Sequence, residues 1–171
     1  MRDTLVLTLI GNDRTGLVQS VAEKLSSLGA NWEEGKMARL AGQFAGILLV
    51  TVEAAKTDEL VAALRTLDAT GLQVTARRTA APEAITGSTF NLVVTANDRP
   101  GIVRDVSKVL AERGVNVEEL ETEVASAAMS GGPLFHYRAV IRAPGGVALD
   151  DLRARLEALG SELMVDVSPT T

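Results

Sequence analysis

The sequence contains no cysteine and a single histidine. Disulfide bonds, thiolate zinc sites and cysteine nucleophiles are therefore excluded, together with most histidine-based catalysis. The sequence also lacks any apolar run near the roughly 20 residues needed to cross a bilayer, and its first residues do not have the layout of a signal peptide. We therefore expect a cytoplasmic protein with no membrane partner, no cofactor and no metal site.

Clustered basic charge is missing as well. The chain carries 17 Lys and Arg against 22 Asp and Glu, a net charge of −5. Divided near residue 85, the first half has nine basic and ten acidic residues, and the second half has eight and twelve. Because affinity for phosphate backbones comes largely from clustered Lys and Arg, we expect no direct binding of nucleic acid. A hydrophobic content of 46% indicates a compact globular protein instead.

The sequence repeats itself at an offset of 85 residues. Residues 12–34, NDRTGLVQSVAEKLSSLGANWEE, match residues 97–119, NDRPGIVRDVSKVLAERGVNVEE, with 11 identities in 23 positions. A repeat of this length indicates one structural unit present twice. We predict two domains, 1–80 and 89–171, joined by a linker at 81–88 in a stretch with Ala-Ala-Pro and no periodicity.

Hydrophobic periodicity gives both copies the same order of elements. In the first copy it predicts strands at 4–10, 31–40, 44–53 and 72–78, a helix over 17–28 with Gly29 as its left-handed cap, and a second helix with Thr57 as N-cap. In the second copy it predicts strands at 90–96, 115–124, 134–142 and 163–167 and helices over 101–113 and about 149–159. The order βαββαβ predicts an α+β fold of two ferredoxin-like domains in tandem, each an antiparallel sheet with both helices on one face.

A glycine-containing polar loop follows the first strand of each copy. Gly16 and Gly101 precede a helix, whose N-terminal N–H groups carry a partial positive charge and bind carboxylates. Glycine lets a ligand approach the backbone closely, and Asp13 or Asp98 can accept hydrogen bonds from an ammonium group. The chemistry of the loop therefore favours a free amino acid as ligand.

These motifs resemble those of the ACT-domain family of amino-acid-responsive regulatory modules. The resemblance lies in Asp-Arg-x-Gly-(Leu/Ile)-Val after the first strand and in Gly-x-Asn at the start of the second, present in both copies. Residues 129–135 also resemble a feature of a subgroup of proteins with two ACT domains. Where some amino-acid-binding members have a histidine, this chain has Gly11 and Ala96.

In the family, ligands bind at the junction of two ACT units, between the loop after strand one and the start of strand two. The asparagines at the start of strand two, Asn31 and Asn116, offer both a donor and an acceptor to such a ligand. The ligand-binding residues that the resemblance implies are Asn12, Asp13, Arg14, Thr15, Gly16, Leu17 and Asn31 in the first copy, and Asn97, Asp98, Arg99, Pro100, Gly101, Ile102 and Asn116 in the second.

The resemblance also implies a role. A non-catalytic regulator would bind an amino acid or similar small metabolite and control a protein partner, for example in the transcription of genes for amino-acid metabolism, that of glycine in particular. Since the sequence has no basic helix-turn-helix, a transcriptional effect would need a separate DNA-binding regulator as partner. Pairing of two copies would hide exposed sheet edges, and the tandem arrangement makes that pairing intramolecular. A homodimer is a further expectation. The alternative is a ligand-free structural or assembly module that acts by protein–protein pairing.

Purely structural roles remain open for the same loop residues. Asp13 and Asp98 can cap the following helix while the glycine forms the turn. Asn31 and Asn116 can hold a left-handed or turn conformation after the helix. Either interpretation would account for the motif without a ligand.

Three other features have mainly structural interpretations. Trp32 suits the core or an interface, and His136 alternates onto the face opposite Tyr137, which places it at solvent or an interface. The acidic run from Glu118 to Glu123 is expected to distribute its carboxylates over both faces of a strand, so we predict no metal site there.

Overall fold

The computed structural model describes residues 1–80, 86–126 and 132–170, and these contain eight strands and four helices in the predicted order. The first half comprises β1 (Arg2–Asn12), α1 (Leu17–Ser27), β2 (Asn31–Leu40), β3 (Gln43–Glu53), α2 (Thr57–Arg65) and β4 (Leu72–Thr79). The second half comprises β5 (Ser88–Asn97), α3 (Ile102–Glu112), β6 (Asn116–Ser126), β7 (Pro133–Ala143), α4 (Leu149–Glu157) and β8 (Met164–Pro169). Short 3₁₀ segments at Ala54–Lys56 and Thr66–Thr70 flank α2.

Each half forms one four-stranded antiparallel sheet. The strand orders are β2-β3-β1-β4 and β6-β7-β5-β8, the arrangement expected of a ferredoxin-like βαββαβ unit. The predicted α+β fold with two such domains in tandem is confirmed. The chain divides into two compact units, Met1–Glu83 and Ala84–Thr171, called here the first and second unit. Of the linker predicted at 81–88, residues 81–85 lie outside the described residues.

Alternation along the strands and helical spacing along the helices build the two cores. In the first unit, Leu5, Leu7 and Leu9 of β1 turn the same way and pack under Val21 and Leu25 of α1. In the second unit the equivalent strand and helix positions are again apolar, and all of them are buried except Phe90, which is partly buried. Burial of one such leucine stabilises a fold by about 1.5–3 kcal/mol. Because these side chains all lie on one face of the sheet, that face is the one that packs against the helices. No helix among the described residues is long and apolar enough to cross a bilayer.

The first helix of each unit ends in the same way. Gly29 and Gly114 have φ of 69° and 66°, as the predicted left-handed cap at Gly29 requires. In the first unit the N–H of Gly29 donates to Ser26 O at 3.0 Å and that of Ala30 donates to Leu25 O at 2.9 Å. These two bonds form a Schellman motif, which satisfies the last carbonyls of α1 and directs the chain into β2.

The start of α2 differs from the prediction. Thr57 is the first helical residue and not the N-cap, and no side chain caps this helix. The Thr57 hydroxyl is buried and donates to Asp3 Oδ2 at 2.7 Å instead. The hydroxyl therefore ties α2 to β1, which is a long-range bond that local sequence patterns do not reveal.

Candidate functional site

The two glycine turns have nearly identical backbones. Gly16 and Gly101 lie directly before α1 and α3 with φ of 89° and 90°, in the left-handed region that glycine adopts without strain. Neither helix has a side-chain cap. The N–H groups of each first turn therefore keep the free donors and partial positive charge of a helix N-terminus.

The aspartates of the motif do not cap these helices, so that structural interpretation is wrong. The backbone N–H of Asp13 donates to Gly42 O at 2.9 Å, and the N–H of Asp98 donates to Pro133 O at 2.9 Å. Each loop is thereby fastened across the sheet to the hairpin region that opens the third strand of its unit. The aspartates set the position of the loop and leave the helix N-terminus uncovered.

The first turn is open. A methyl group added at Gly16 would meet no atom within 4 Å. Val18, the next residue but one, leaves part of its side chain exposed. Asp13 forms an ion pair with Arg39 of β2, with 2.5 Å between Oδ2 and Nε. The first turn thus combines an uncapped helix N-terminus with an aspartate whose charge is balanced by a neighbouring guanidinium.

The second turn is covered. Arg104 Nη2 lies 3.1 Å from the position that a Cβ at Gly101 would occupy. Arg104 is held there by Asp105, which accepts from its Nε at 3.0 Å and its Nη2 at 2.8 Å. Arg99 Nη1 donates to the other Asp105 oxygen at 2.9 Å. These bonds, first to Arg104 and then to Arg99, lower the pKa of Asp105, so the ion pairs that cover the turn persist at neutral pH.

Two of the predicted ligand residues belong to the core. The side chains of Leu17 and Ile102 are only 3% and 2% exposed and pack among the buried residues of their units. They can offer a ligand their backbone N–H groups and nothing else. The remaining loop residues, Asn12 to Thr15 and Asn97 to Pro100, are exposed.

A cavity lies beside the first loop. It has a volume of about 330 Å³ and is lined in part by Gly11, Asn12, Gln43 and Gly71. Asn12 Oδ1 accepts from Gln43 Nε2 at 2.7 Å, which fixes the asparagine side chain at the edge of the cavity. Asn12 therefore has both a fixed side chain and adjoining free volume.

Gly11 explains why this chain has no histidine where some family members do. A Cβ at Gly11 would collide with the backbone carbonyl of Gly71 and press on Leu72. The matching Ala96 of the second unit is buried in the core. At Gly11 the fold therefore has no room for an imidazole, and at Ala96 the side chain belongs to the core.

The two asparagines lie at the opposite end of the sheet from the loops. Asn31 pairs with Thr51, and Thr51 pairs with Thr4 near the beginning of β1. The loop follows Asn12, eight residues later, which corresponds to about 26 Å along an extended strand. Asn116 begins β6 in the same way. Within one unit the structure therefore does not bring the loop and the asparagine together.

Neither asparagine adopts the left-handed conformation that the structural interpretation offered. Among the described residues Ala41 is the non-glycine with positive φ, at 49°, and both asparagines are the first residues of extended strands. Asn31 Nδ2 donates to Glu33 Oε1 at 3.0 Å. Its amide is therefore engaged in a side-chain network at the start of β2.

The acidic run differs from the expectation. Glu119, Glu121 and Glu123 pair with successive alternate residues of β7 and share the outer face of the second sheet, while Glu118 lies in a bulge between Val117 and Glu119. The carboxylates are therefore concentrated on one face and not spread evenly over two. No group of three or more metal-ligating side chains occurs within the described ranges.

Trp32 and His136, for which the sequence predicted mainly structural roles, are both partly buried. Trp32 packs against the core of the first unit. His136 is half-buried on the face opposite Tyr137 and shares a hydrogen bond of 3.3 Å with Thr95 Oγ1. Of residues 129–135, the first three lie outside the described residues, and Pro133 to Phe135 begin β7.

Sequence reasoning missed the side chains that distinguish the two turns. Arg104 and Asp105 occupy the positions of Gln19 and Ser20 in the aligned repeat, so the difference was visible in the sequence as a gain of opposite charges. The partner of Asp13, Arg39, lies in the next strand and could be found only from the register of the sheet.

Comparison with known proteins agrees with this architecture. One ACT-domain family model matches residues 3–77 and a second matches residues 90–160. The glycine cleavage system transcriptional repressor of Escherichia coli (strain K12) is 25% identical over 161 residues, which cover 93% of this chain and 85% of that protein.

Solved structures give the same result for the fold. A crystal structure of an unknown protein from Galdieria sulphuraria matches with a TM-score of 0.87 and 29% identity over 100% of both chains. A crystal structure of a candidate glycine cleavage system transcriptional repressor matches with a TM-score of 0.73 and 20% identity over 99% of both chains. Both have the fold of the whole chain and not of one half alone.

Proposed function

The chain belongs to the ACT-domain family, and from this we propose that it is a non-catalytic regulatory protein that binds an amino acid or similar small metabolite and controls a partner protein. The observation that carries the proposal is the open turn at Gly16. No side chain caps the N-terminus of α1 and the space beside Gly16 is empty, and an uncapped helix N-terminus is an environment in which a carboxylate binds without any basic side chain.

We place an amino acid at the first turn as follows. Its carboxylate accepts hydrogen bonds from the first-turn N–H groups of α1, and its ammonium group contacts Asp13, which also forms an ion pair with Arg39. The exposed part of Val18 offers an apolar surface to the ligand side chain. The second turn is the weaker candidate, because Arg104 occupies the approach to Gly101. A part for Asn31 and Asn116 in the same site remains a prediction.

The regulatory mechanism would be thermodynamic linkage. A ligand that prefers one conformation shifts the protein toward it by at most the difference in its affinities, typically about 1–3 kcal/mol. The similarity to a glycine cleavage system transcriptional repressor favours a cytoplasmic role in the transcription of genes for amino-acid metabolism, glycine included. Because neither half of the sequence is a basic module, we assign DNA binding to a separate partner protein.

A second candidate function is ligand-free assembly, including formation of a homodimer. The outer face of the first sheet supports it, because Ile10, Leu40 and Ile47 all expose large apolar side chains there, Leu40 to 80%. Exposed apolar surface of this kind often marks a protein–protein contact. The two candidates differ in whether a small molecule changes the stability of the protein.

Thermal unfolding in the presence of each of the twenty common amino acids tests the proposal. We expect one or a few of them to raise the unfolding temperature saturably, with a stabilisation of about 2.7 kcal/mol at a hundred times the dissociation constant. The double variant Gln19→Arg/Ser20→Asp reproduces on the first turn the pair that covers the second, so it should lose the stabilisation.

The matched control is Gln19→Ala, which shortens the same side chain without covering the turn and should keep the response. If no amino acid raises the unfolding temperature, the sensing proposal fails and assembly is favoured. A response that survives Gln19→Arg/Ser20→Asp would place the ligand somewhere other than the first turn.

A further inference from the structure

The outer face of the first sheet is the face turned away from its two helices. Leu5, Leu7 and Leu9 of β1 turn toward the helices, so the residues between them point to the outer face. The register of the sheet extends this assignment to the neighbouring strands. On the two central strands, β1 and β3, the aliphatic residues of the outer face are Val6, Ile10, Ala45, Ile47 and Leu49.

These side chains give the outer face an apolar centre. Ile47 is 54% exposed and Ile10 is 50% exposed, and Val6 and Leu49 beside them are partly buried. Leu40 of the edge strand β2 continues the apolar surface. Large aliphatic side chains on adjacent strands thus remain in contact with water, which is typical of a surface that contacts another protein.

Opposite charges lie at the two edges of the same face. Glu34 of β2 pairs with Leu49 of β3, Leu49 pairs with Val6 of β1, and Val6 pairs with Arg77 of β4. These four residues form one row across the whole sheet, in which the two aliphatic residues lie between an acid and a base. Glu34 and Arg77 are both exposed and lie about 14 Å apart, which is three strand spacings.

This row is complementary to a second copy of itself. If two outer faces pack together about a two-fold axis parallel to the strands, the β2 edge of one sheet lies over the β4 edge of the other. Glu34 of each copy then faces the partner's Arg77, so two opposite-charge pairs flank the apolar centre. Stacked sheets lie about 10 Å apart, a gap that a glutamate and an arginine reaching toward each other can span.

The outer face of the second sheet lacks this complementarity. A row there consists of Glu121 of β6, Arg138 of β7, Val93 of β5 and Asp166 of β8, so both of its edges are acidic. The same two-fold axis would set Glu121 of one copy against the partner's Asp166, and like charges facing each other repel. Pairing of this kind is therefore a property of the first sheet.

The area of the first outer face is sufficient for a dimer. The face has four strands of about ten residues each. At about 4.8 Å per strand and about 3.3 Å per residue, it covers about 600 Å² in projection. Two such faces would bury about 1,200 Å², which is the lower end of the range for specific, stable interfaces. A dissociation constant on the order of micromolar is expected for a contact of this size.

We infer that the outer face of the first sheet is the contact surface of a homodimer, in which two copies of this chain pack face to face about a two-fold axis parallel to the strands. The inference rests on the assembly candidate given above and deepens it, because it names the surface, the symmetry and the contacts. The homodimer requires no small molecule, so it does not depend on a ligand at Gly16.

Sedimentation velocity of the full chain from about 1 to about 300 µM tests the inference. We expect a reversible equilibrium between monomer and dimer without larger species, because a two-fold contact closes on itself. Ile47→Asp places a charge in the apolar centre and should weaken the dimer about a hundredfold or more. Val124→Asp is the matched control and should not change it, since Val124 is also 54% exposed but pairs with Phe135 on the helix side of the second sheet.

A charge exchange tests the symmetry. Glu34→Arg sets two arginines against each other at both edges, and Arg77→Glu does the same with two glutamates, so each should weaken the dimer about tenfold or more. Glu34→Arg/Arg77→Glu restores opposite charges and should return the dissociation constant to within about threefold of that of the unmodified chain.

The inference is overturned if the chain stays monomeric up to about 300 µM, if species larger than a dimer form, if Ile47→Asp dimerises like the unmodified chain, or if the double charge exchange does not restore the dimer. Circular dichroism checks that each variant is folded. Should Ile47→Asp fail to fold, the charge variants on the exposed edge strands still decide.

The dimer and the sensing proposal can be told apart. A chain that stays monomeric while an amino acid raises its unfolding temperature refutes the dimer and leaves the sensing proposal standing. A dimer that responds to Ile47→Asp and to the charge exchange, but is stabilised by no amino acid, has the opposite meaning.

Discussion

Gly11 and Gly16, five positions apart in the sequence, are required to be glycine for different physical reasons. At Gly16 the backbone is left-handed and the position of a Cβ is empty, so the absence of a side chain is required by conformation and not by packing. At Gly11 the backbone is extended, and the absence of a side chain is required because Gly71 packs against it. Gly16 therefore permits the left-handed turn of the candidate site, and Gly11 permits the contact between β1 and β4.

Gly11→Ala should therefore destabilise the protein strongly. The added methyl group meets backbone atoms that cannot rotate away, and we expect a loss of about 2–3 kcal/mol in the free energy of unfolding. Gly145→Ala is the matched control, because a methyl group there would meet nothing within 4 Å and the backbone is not left-handed. Urea unfolding of both variants checks the difference. Equal stabilities would show that β4 moves away from Gly11 at little cost.

The residues of the candidate site were predictable to different degrees. The motif around Asp13 and Gly16 is local and repeated, so the sequence alone indicated it. The capping interpretation of Asp13 failed because its backbone bond to Gly42 and its ion pair with Arg39 depend on strand register. The core positions of Leu17 and Ile102 were visible as helical periodicity, but the family motif placed them among the ligand residues.

At the scale of elements, the strands and helices follow from periodicity, whereas their irregularities do not. All the predicted helices and strands are present among the described residues, with ends that differ by one or a few residues. The bulges in β2 and β6 could not be predicted from the hydrophobic pattern, because one extra residue in a strand does not change its composition. The expectation for the acidic run was wrong because alternation along β6 puts Glu119, Glu121 and Glu123 on one face, while the bulge displaces only Glu118.

Strand β7 contains the one tyrosine of the sequence, and its buried hydroxyl has no partner in hydrogen-bonding geometry among the residues that the structure describes. Burial raises the pKa of Tyr137, and the nearby Ser107 hydroxyl opposes the shift only in part. The stabilising contribution of the neutral phenol is therefore complete below its ordinary pKa near 10 and is lost as the pH rises through the raised value.

We expect alkaline conditions to destabilise the second unit through Tyr137. The tyrosinate absorbance of the folded protein should appear at higher pH than that of the unfolded chain. Tyr137→Phe should lessen the fall in stability at alkaline pH and change stability at neutral pH by less than about 1 kcal/mol, since no hydrogen bond is lost. Titration of the folded tyrosine near pH 10 would contradict the assignment.

At the scale of the whole molecule, the two copies keep the fold and differ at their glycine turns. The first unit has an open turn at Gly16, whereas in the second unit Arg104 covers the turn at Gly101. The fold was predictable from the repeat, since identical motifs specify the same elements.

This asymmetry predicts that the second turn can be opened. Arg104→Gln/Asp105→Ser gives the second turn the residues of the first, and should add a second ligand site of comparable affinity to the chain. Isothermal titration calorimetry of the amino acid that stabilises the unmodified protein measures the change in stoichiometry. Lys108→Gln, an exposed charge change on the same helix, should not alter it. An unchanged stoichiometry in the double variant would show that Arg104 is not what closes the turn.

The central claim is that the uncapped amides after Gly16 bind a carboxylate, and amide chemical shifts measure this most directly. During titration of the ¹⁵N-labelled protein with the stabilising amino acid, we predict saturable shifts at the amides of Leu17, Val18 and Gln19, and much smaller shifts at residues 102–104. If the ligand binds while the amides of residues 17–19 do not shift, the account is contradicted.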